Sequence, residues 1–309
     1  MRPWIAMIVL ATALGTGAQE VQTAAVPPAE AKGETEKPLP NLEALLERAK
    51  SGSDAMMEMR KTYTFKETLV ADQLDSHGNK KGTHTDEYQV FYVKKTEVLQ
   101  HIAHDGSPLS EADKTKEQER VDKRVADIKA GKPKDRAGIT LKASTLIKLA
   151  TVSAPRREMR NGRPTIVFDY KGNTKTVSDG LPEQIIKKLE GILEIDEQEA
   201  AIVHMTGTLQ ENFHVLGGLA VNVKKGSRFE MDAMRVNNEV WFMKSFSAHV
   251  DGRILLIKGF DGDARGTFSD YRKMRTSVTL LPGSQVIGED GKPIPNLEAE
   301  PESTPPKPQ

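Results

Sequence analysis

GILEID (191–196), EAAIVHMTGTL (199–209), GSRFEMDAMRV (226–236), EVWFMKSFSAHV (239–250) and RILLIKGF (253–260) follow one another at hairpin distances, and SDYRKM (269–274) closes the run. Side chains alternate between the two faces of a strand, so each segment can be split into its faces by parity. In Glu239–Val250 one parity carries Val240, Phe242, Phe246, Ala248 and Val250. The other carries Trp241 and Met243 before turning polar at Ser245, Ser247 and His249. A strand that is apolar on both sides needs cover on both sides. These segments therefore predict consecutive antiparallel strands that either sandwich part of their own chain or wrap around something foreign.

Upstream, the helical and strand periods separate cleanly. Asn41 caps a helix with Leu42, Leu45, Leu46 and Ala49 on one stripe. Ser51-Gly52-Ser53 is expected to interrupt it, with a restart at Asp54–Met57 before Arg60. The period then becomes two in Thr62–Asp72, with Tyr63, Phe65, Leu69 and Ala71 on one side. The turn signal His77–Gly82 leads to a strand over Thr85–Val93 carrying Tyr88, Val90 and Tyr92, and a third strand spans Glu97–His104.

Ser110 with Asp113 opens a charged helix reaching about Lys129, whose thin stripe is Val121, Val125 and Ile128. It reads either as a solvated surface helix or as a movable flap over a cavity. A short helix over Ile139–Ala150 follows, then strands over Thr151–Arg160 and Arg163–Tyr170 joined by Asn161-Gly162, a strong hairpin signal. Pro182 opens a brief helix with Ile185, Ile186 and Leu189. Runs of strands broken by segregated helices argue for α+β with an antiparallel sheet, not for alternating βαβ units.

The ends differ in kind from this body. Arg2, the apolar stretch Trp4–Leu14 and Thr16-Gly17-Ala18 read as an export signal over residues 1–18, too short to span a bilayer. Residues 19–38, rich in Ala, Pro and Glu, read as a disordered linker, and residues 282–309, with seven prolines, as a disordered tail. The folded domain is expected over 39–281. There is no cysteine, hence no lipid-attachment site and no disulfide. With 44 basic and 44 acidic residues no net field draws the chain to nucleic acid or to an anionic membrane. A periplasmic or secreted protein is expected, without stable membrane insertion after signal cleavage.

No motif for catalysis is present: no Gly-x-Ser-x-Gly elbow, no His-Glu-x-x-His, no P-loop and no dinucleotide fingerprint. His101 and His104 resemble a metal pair, but a spacing of three on a strand sends them to opposite faces. Phe260–Gly266 (FDGDARG) lacks the spacing of a calcium loop and reads as a hairpin turn. Glu230 and Asp232 read as scattered carboxylates. No catalytic residue, metal or organic cofactor is therefore assigned.

The order of elements resembles the bacterial outer-membrane lipoprotein-sorting carriers and their relatives, the Lol-type fold. The resemblance rests on GILEIDEQEAAIVHMTGTL (191–209) and on the spacing from Gly226–Phe229 to Glu239–Trp241. It also rests on RILLIKGF followed by SDYRKM, and on the opening helix followed by Tyr63-Thr64-Phe65. It covers residues 40 to 275. It implies an incomplete β-barrel, a curved antiparallel sheet around an apolar hollow with helices over the open side. In that family the hollow receives acyl chains or other apolar cargo.

On this reading the ligand-binding candidates are Tyr63, Phe65, Tyr88, Tyr92, Val203, Met205, Phe229, Met231, Trp241, Met243, Leu255 and Ile257. Core packing is the alternative for each, and methionine favours binding because its thioether adapts to variable apolar shapes. The expected partner is an apolar small molecule, a lipid or a lipoprotein. The rival reading is an interaction or stress-sensor module whose curved sheet docks an envelope protein, and a weaker third is an envelope hydrolase.

Overall fold

A computed structural model describes residues 37–74, 79–132, 143–175, 180–215, 221–254, 262–274, 279–281, 285–287 and 293–294. Four helices are described: α1 (Leu42–Arg60), α2 (Glu111–Lys129), α3 (Ala143–Leu149) and α4 (Leu181–Ile186). The N-terminal strands are β1 (Tyr63–Leu74), β2 (Lys80–Val93), β3 (Thr96–His104) and β4 (Ser107–Pro108). Then come β5 (Ala150–Arg160), β6 (Arg163–Gly172), β7 (Leu189–Asp196), β8 (Ile202–Leu209), β9 (Phe213–Val215) and β10 (Val221–Val223). The last large strands are β11 (Arg228–Val236), β12 (Val240–Val250), β13 (Gly252–Ile254) and β14 (Gly262–Lys273).

Eleven strands form one antiparallel sheet in the order β4-β3-β2-β1-β14-β12-β11-β8-β7-β6-β5. The sheet is not closed into a barrel, and the α+β class expected from the sequence is the one observed. The residues of FDGDARG from Gly262 onward belong to β14 and not to a turn. This strand joins the two ends of the domain, pairing with β1 on one side and β12 on the other. GILEID, EAAIVHMTGTL, GSRFEMDAMRV and EVWFMKSFSAHV are sheet neighbours as expected, but RILLIKGF is not the fifth. Its first described residues form β13, which pairs with β10 in a separate sheet of β13, β10 and β9. Three short strands, β15 (Thr279–Leu281), β16 (Gln285–Ile287) and β17 (Pro293–Ile294), form a third sheet. Two of them fall within the tail read as structureless from composition. The expected signal peptide lies outside the described residues, as does the linker before Lys37.

Local chemistry explains the boundaries. Asn41 Oδ1 accepts from Ala44 N at 3.0 Å and starts α1. The helix runs unbroken through Ser51-Gly52-Ser53, against expectation. Ser51 folds its hydroxyl back onto the carbonyls of Glu47 and Arg48, so its polar group is satisfied inside the helix. Ser110 Oγ accepts from Asp113 N and donates to Asp113 Oδ2, a variant of the capping box that starts α2. Asn161 and Gly162 both take positive φ (51° and 76°), as a two-residue turn between β5 and β6 requires.

Six register shifts are described between paired strands of the large sheet, and three of them set the faces around the β1–β3 and β12–β14 strands. Between β2 and β3, Glu87 pairs with Ala103 and Tyr88 with His101, so Ile102 is an extra residue. Between β11 and β12, Asp232 pairs with Ser245 and Ala233 with Met243, so Lys244 is extra. Between β1 and β14, Lys66 pairs with Ser269 and Thr64 with Arg272, which adds one residue near Asp270 (φ 54°). Each extra residue inverts the alternation beyond it.

Beyond Lys244 the faces of β12 are therefore exchanged. Phe246, Ala248 and Val250 belong to one core with Met243 packed on it, whereas Val240 and Phe242 belong to another. β14 leaves β12 after Thr267 while staying on β1. The hairpin tip then lays Phe242 against Tyr63 (5.0 Å between ring centroids) and Tyr271 (4.3 Å).

Helices α1, α3 and α4 cover what we call the inner face. Leu45 and Ala49 of α1, Leu146 and Leu149 of α3 and Ile185 and Ile186 of α4 are buried with Ile166, Phe168, Leu193, Met205, Phe229 and Phe246 of the sheet. Gly266 lies opposite Phe246, whose ring occupies the space a Cβ at that position would need. Helix α2 packs on the opposite side. Its Val121, Val125 and Ile128 are buried against Phe91, Val93 and Val98, the parity opposite to Tyr88, Val90 and Leu99. It braces the outer face of β2 and β3 and does not cover the inner one, so the flap reading does not hold.

Candidate functional site

The inner face is covered unevenly. Over β6, β7, β8 and the nearer part of β12 the chain's own helices fill it, as the burial of Leu45, Leu146 and Ile186 shows. Over β1, β2, β3 and β14 the main helical contribution among the described residues is Met56 near the end of α1. There the buried floor is Tyr63, Phe65, Val90 and the carboxylate-bearing Glu67, which lies between Tyr88 and Phe268 in the sheet register, and around it lie half-buried Tyr88, Tyr92, Leu99, Phe268 and Tyr271. Tyr88 and Phe268 also touch the larger core, against which half-buried Met231 of β11 and Met243 of β12 pack as well. The result is a half-buried apolar strip of aromatic rings and thioethers along the seam of two cores, which we call the trough. Phe65 holds it together, 6.0 Å from Phe268 and 5.3 Å from Tyr271.

The candidates named from sequence divide accordingly. Tyr88, Tyr92, Met231 and Met243 are half-buried and border the trough. Tyr63 and Phe65 form its floor and are themselves buried. Val203 and Trp241 are packed with Ala201 and Ala233 in a satellite core, and Met205 and Phe229 lie in the main one. Leu255 and Ile257 lie outside the described residues. Sequence parity missed Leu99, Phe268 and Tyr271. The last two are three residues apart and share a side because of the bulge near Asp270.

Polar groups frame the trough. Arg60, at the end of α1, donates from Nε to Trp241 O at 2.6 Å and sets its guanidinium 5.9 Å from the Phe242 ring centroid. Burial pulls its pKa below the ordinary value, partly offset by the nearby hydroxyls of Tyr92 and Tyr271. Burial pushes the Tyr271 hydroxyl well above the usual range, and it donates to Met243 O. At the edge of β3, Glu117 of α2 is almost fully buried. It accepts from His101 N at 2.6 Å and pairs with Arg120, which donates to Leu99 O. These two side chains occupy backbone groups of β3 that the two-residue strand β4 does not reach.

A second charged network ties the β6–β8 end together. Arg163 reaches Asp196, which is completely buried, at 2.5 and 2.9 Å, and Glu199 at 3.1 Å. Asp196 also accepts from the backbone N–H groups of Gln198 and Glu199. Arg160 pairs with Glu194 and Asp232, and Asp232 also meets His204 Nδ1 at 2.8 Å. Hydrogen bonding to Glu194 holds the Arg160 pKa above its ordinary value. Away from the trough, an open cleft of about 400 Å³ is lined by Ser153, Asp169, Tyr170, Lys171, Glu190, Gly191 and Ile192.

The bulge at Ile102 also overturns the expectation that His101 and His104 face opposite ways. Both approach the same carboxylate oxygen, Asp86 Oδ1, at 2.9 and 2.8 Å. His84 and Asp105 complete the group, with the rings of His84 and His104 stacked at 5.6 Å.

No family model and no curated protein matches this chain. Among solved structures, a DUF1329 family protein from Desulfovibrio piger is similar at 8% identity and a TM-score of 0.33, covering 76% of this chain and 94% of that one. MucB of Pseudomonas aeruginosa in complex with MucA is similar at 9% identity and a TM-score of 0.23, covering 74% of this chain and 99% of that one. A second structure, of MucB with the periplasmic part of MucA, gives 9% and 0.22, covering 77% of this chain and the whole of that one. Likenesses of this size leave the function to be argued from the residues of this chain.

Proposed function

We propose that this protein is a non-catalytic binding protein of the cell envelope that holds an acyl chain or similar apolar ligand in the trough. The observation that carries the reading is the set Tyr88, Tyr92, Leu99, Phe268 and Tyr271, half-buried around the smaller aromatic core, with half-buried Met231 and Met243 packed on the main core next to it. An apolar chain laid on them gains roughly 0.8 kcal/mol for each methylene removed from water. Aromatic faces and thioethers adapt to such a chain without polar recognition. Arg60 stands beside Phe242 and Tyr271, where an acidic head group would meet a guanidinium. Envelope location follows the export-signal pattern of residues 1–18.

Access requires little of the fold. Helix α1 is 19 residues long, and its fully buried side chains are Leu45 and Ala49. Its C-terminal turn, with Met56 beside the trough, is the segment whose displacement would lengthen the site. Organic extraction of protein purified from its own cell envelope, followed by mass spectrometry, checks the reading. A stoichiometric lipid or fatty acid is expected. A clean extract together with one dominant protein crosslinked through the trough residues would replace the carrier by the docking reading.

A further inference from the structure

We infer that the β2–β3 hairpin carries a divalent transition-metal site, best suited to Zn2+, with His84, His104 and Asp105 as ligands and Asp86 as the group that orients His104. The two nitrogens of His104 separate the two roles, Nδ1 facing Asp86 and Nε2 facing Asp105. Two ligands on a tetrahedral zinc with bonds of about 2.0–2.1 Å lie roughly 3.3 Å apart. Asp105 Oδ2 lies 3.2 Å from His84 Nδ1 and 3.3 Å from His104 Nε2. All three ligand atoms lie within 4.8 Å of one another. Asp86 Oδ1, by contrast, is 2.8 Å from His104 Nδ1, a hydrogen-bond length. That arrangement puts the proton on Nδ1 and leaves Nε2 as the electron-pair donor, the carboxylate–histidine–metal relay seen in zinc sites.

The ligands are held before any ion arrives. Asp105 sits at φ 47° and Gly106 at φ 74° in the turn after β3. Asp105 N donates to Thr85 O at 2.7 Å, and Asp105 Oδ1 accepts from Thr85 N at 2.8 Å, which leaves Oδ2 for the metal. His101 supports Asp86 from the other side. Its Nε2 comes to 2.9 Å of Asp86 Oδ1, buried and without hydrogen-bond geometry, while its ring stacks on Tyr88 at 5.0 Å. His84, His104 and Asp105 keep enough exposure for an ion to enter and for water to complete the coordination.

A second trio, His204, Glu230 and Asp232, has similar spacing but a different environment. Arg160 NH1 lies 3.1 Å from the same Asp232 oxygen that meets His204, so a cation there would face a guanidinium. It serves as the internal control.

The test is titration of the full chain, stripped with EDTA, with Zn2+ by calorimetry, and with Co2+ by visible absorption. One equivalent of Zn2+ and a four- or five-coordinate Co2+ spectrum are expected. The variant His84→Ala/His104→Ala loses at least about 100-fold in affinity. Asp86→Asn keeps the stoichiometry and loses about 10- to 100-fold. His204→Ala binds like the parent chain. Because His84 and His104 are well exposed, far-UV circular dichroism should be unchanged in the double variant. Asp105→Asn, expected to weaken binding by at least about tenfold, provides an independent check, and parental affinity in that variant overturns its place as a ligand. Absence of saturable Zn2+ binding, or parental affinity in folded His84→Ala/His104→Ala, overturns the assignment. Parental affinity in Asp86→Asn overturns the role given to Asp86.

Discussion

The double variant Tyr88→Asp/Phe268→Asp binds a long-chain fatty acid about 100-fold more weakly than the parent protein. These two residues touch both the main core and the smaller aromatic core, so they sit where the two halves of the trough meet. Each aromatic ring that covers an apolar chain contributes roughly 1.5 kcal/mol or more. Two losses sum to about 3 kcal/mol, and each 1.4 kcal/mol is about tenfold in affinity. A carboxylate at either position adds a desolvation cost when the chain binds. Both side chains are half-buried but flank the buried Glu67 across the sheet, so the aspartates also lower stability, and the titration is run at a temperature where thermal unfolding shows the variant folded. Tyr88→Leu/Phe268→Leu keeps the surface apolar and should stay within about threefold of the parent, well under 1.4 kcal/mol. Calorimetric titration below the ligand's critical micelle concentration reads both. A folded aspartate variant with unchanged affinity removes the trough from the binding account.

Arg163→Ala destabilises the fold by about 3–5 kcal/mol. Asp196 is fully buried, and its charge is met by the Arg163 guanidinium from two directions. Removing the guanidinium leaves a buried carboxylate with the backbone N–H groups of Gln198 and Glu199 as its remaining partners. It also takes away the cation 5.7 Å from the Trp241 ring centroid, whose indole N–H is held by Glu199. Urea denaturation gives the value. Arg163→Ala/Asp196→Asn should be less damaged than the sum of the single changes, because the uncompensated charge is gone. A loss below about 1 kcal/mol in Arg163→Ala would put the pair among the weak surface bridges.

Much of the fold was legible because its signals are local. Asn41, Ser110, Asn161-Gly162 and Pro182 each act through their own backbone geometry, and each marks the boundary it was expected to mark. Parity within a strand was equally reliable up to the first bulge. Beyond it, one inserted residue reverses every assignment, and nothing in the local composition announces the insertion. Phe242 and Phe246 share a parity yet belong to different cores, because Lys244 lies between them. His101 and His104 differ in parity yet meet one carboxylate, because Ile102 lies between them. Phe268 and Tyr271 follow the same rule across Asp270.

The site was therefore only partly readable. Tyr88, Tyr92, Met231 and Met243 are half-buried, whereas Met205, Phe229, Val203 and Trp241 are buried in the main and satellite cores. Which apolar residue is core and which is rim depends on where α1, α3 and α4 land. Contacts such as Leu45 with the sheet are long-range and leave no mark in the strand sequences themselves. The continuous course of α1 shows the same limit. Ser51-Gly52-Ser53 has low helix preference, but buried Leu45 and Ala49 before it and half-buried Met56 after it carry the helix through.

The central claim is that an apolar chain lies on the half-buried residues of the trough, and methyl-resolved NMR tests it most directly. With the methionine methyls labelled, titration with a long-chain fatty acid should shift Met231, Met234, Met243 and Met56 in a saturable way, since Met231 and Met243 pack on the main core and Met234 and Met56 on the smaller aromatic one. Met159, on the far edge strand β5, should stay where it is. Saturable binding that leaves those four methyls unmoved would contradict the account, as would a titration in which no methyl responds at all.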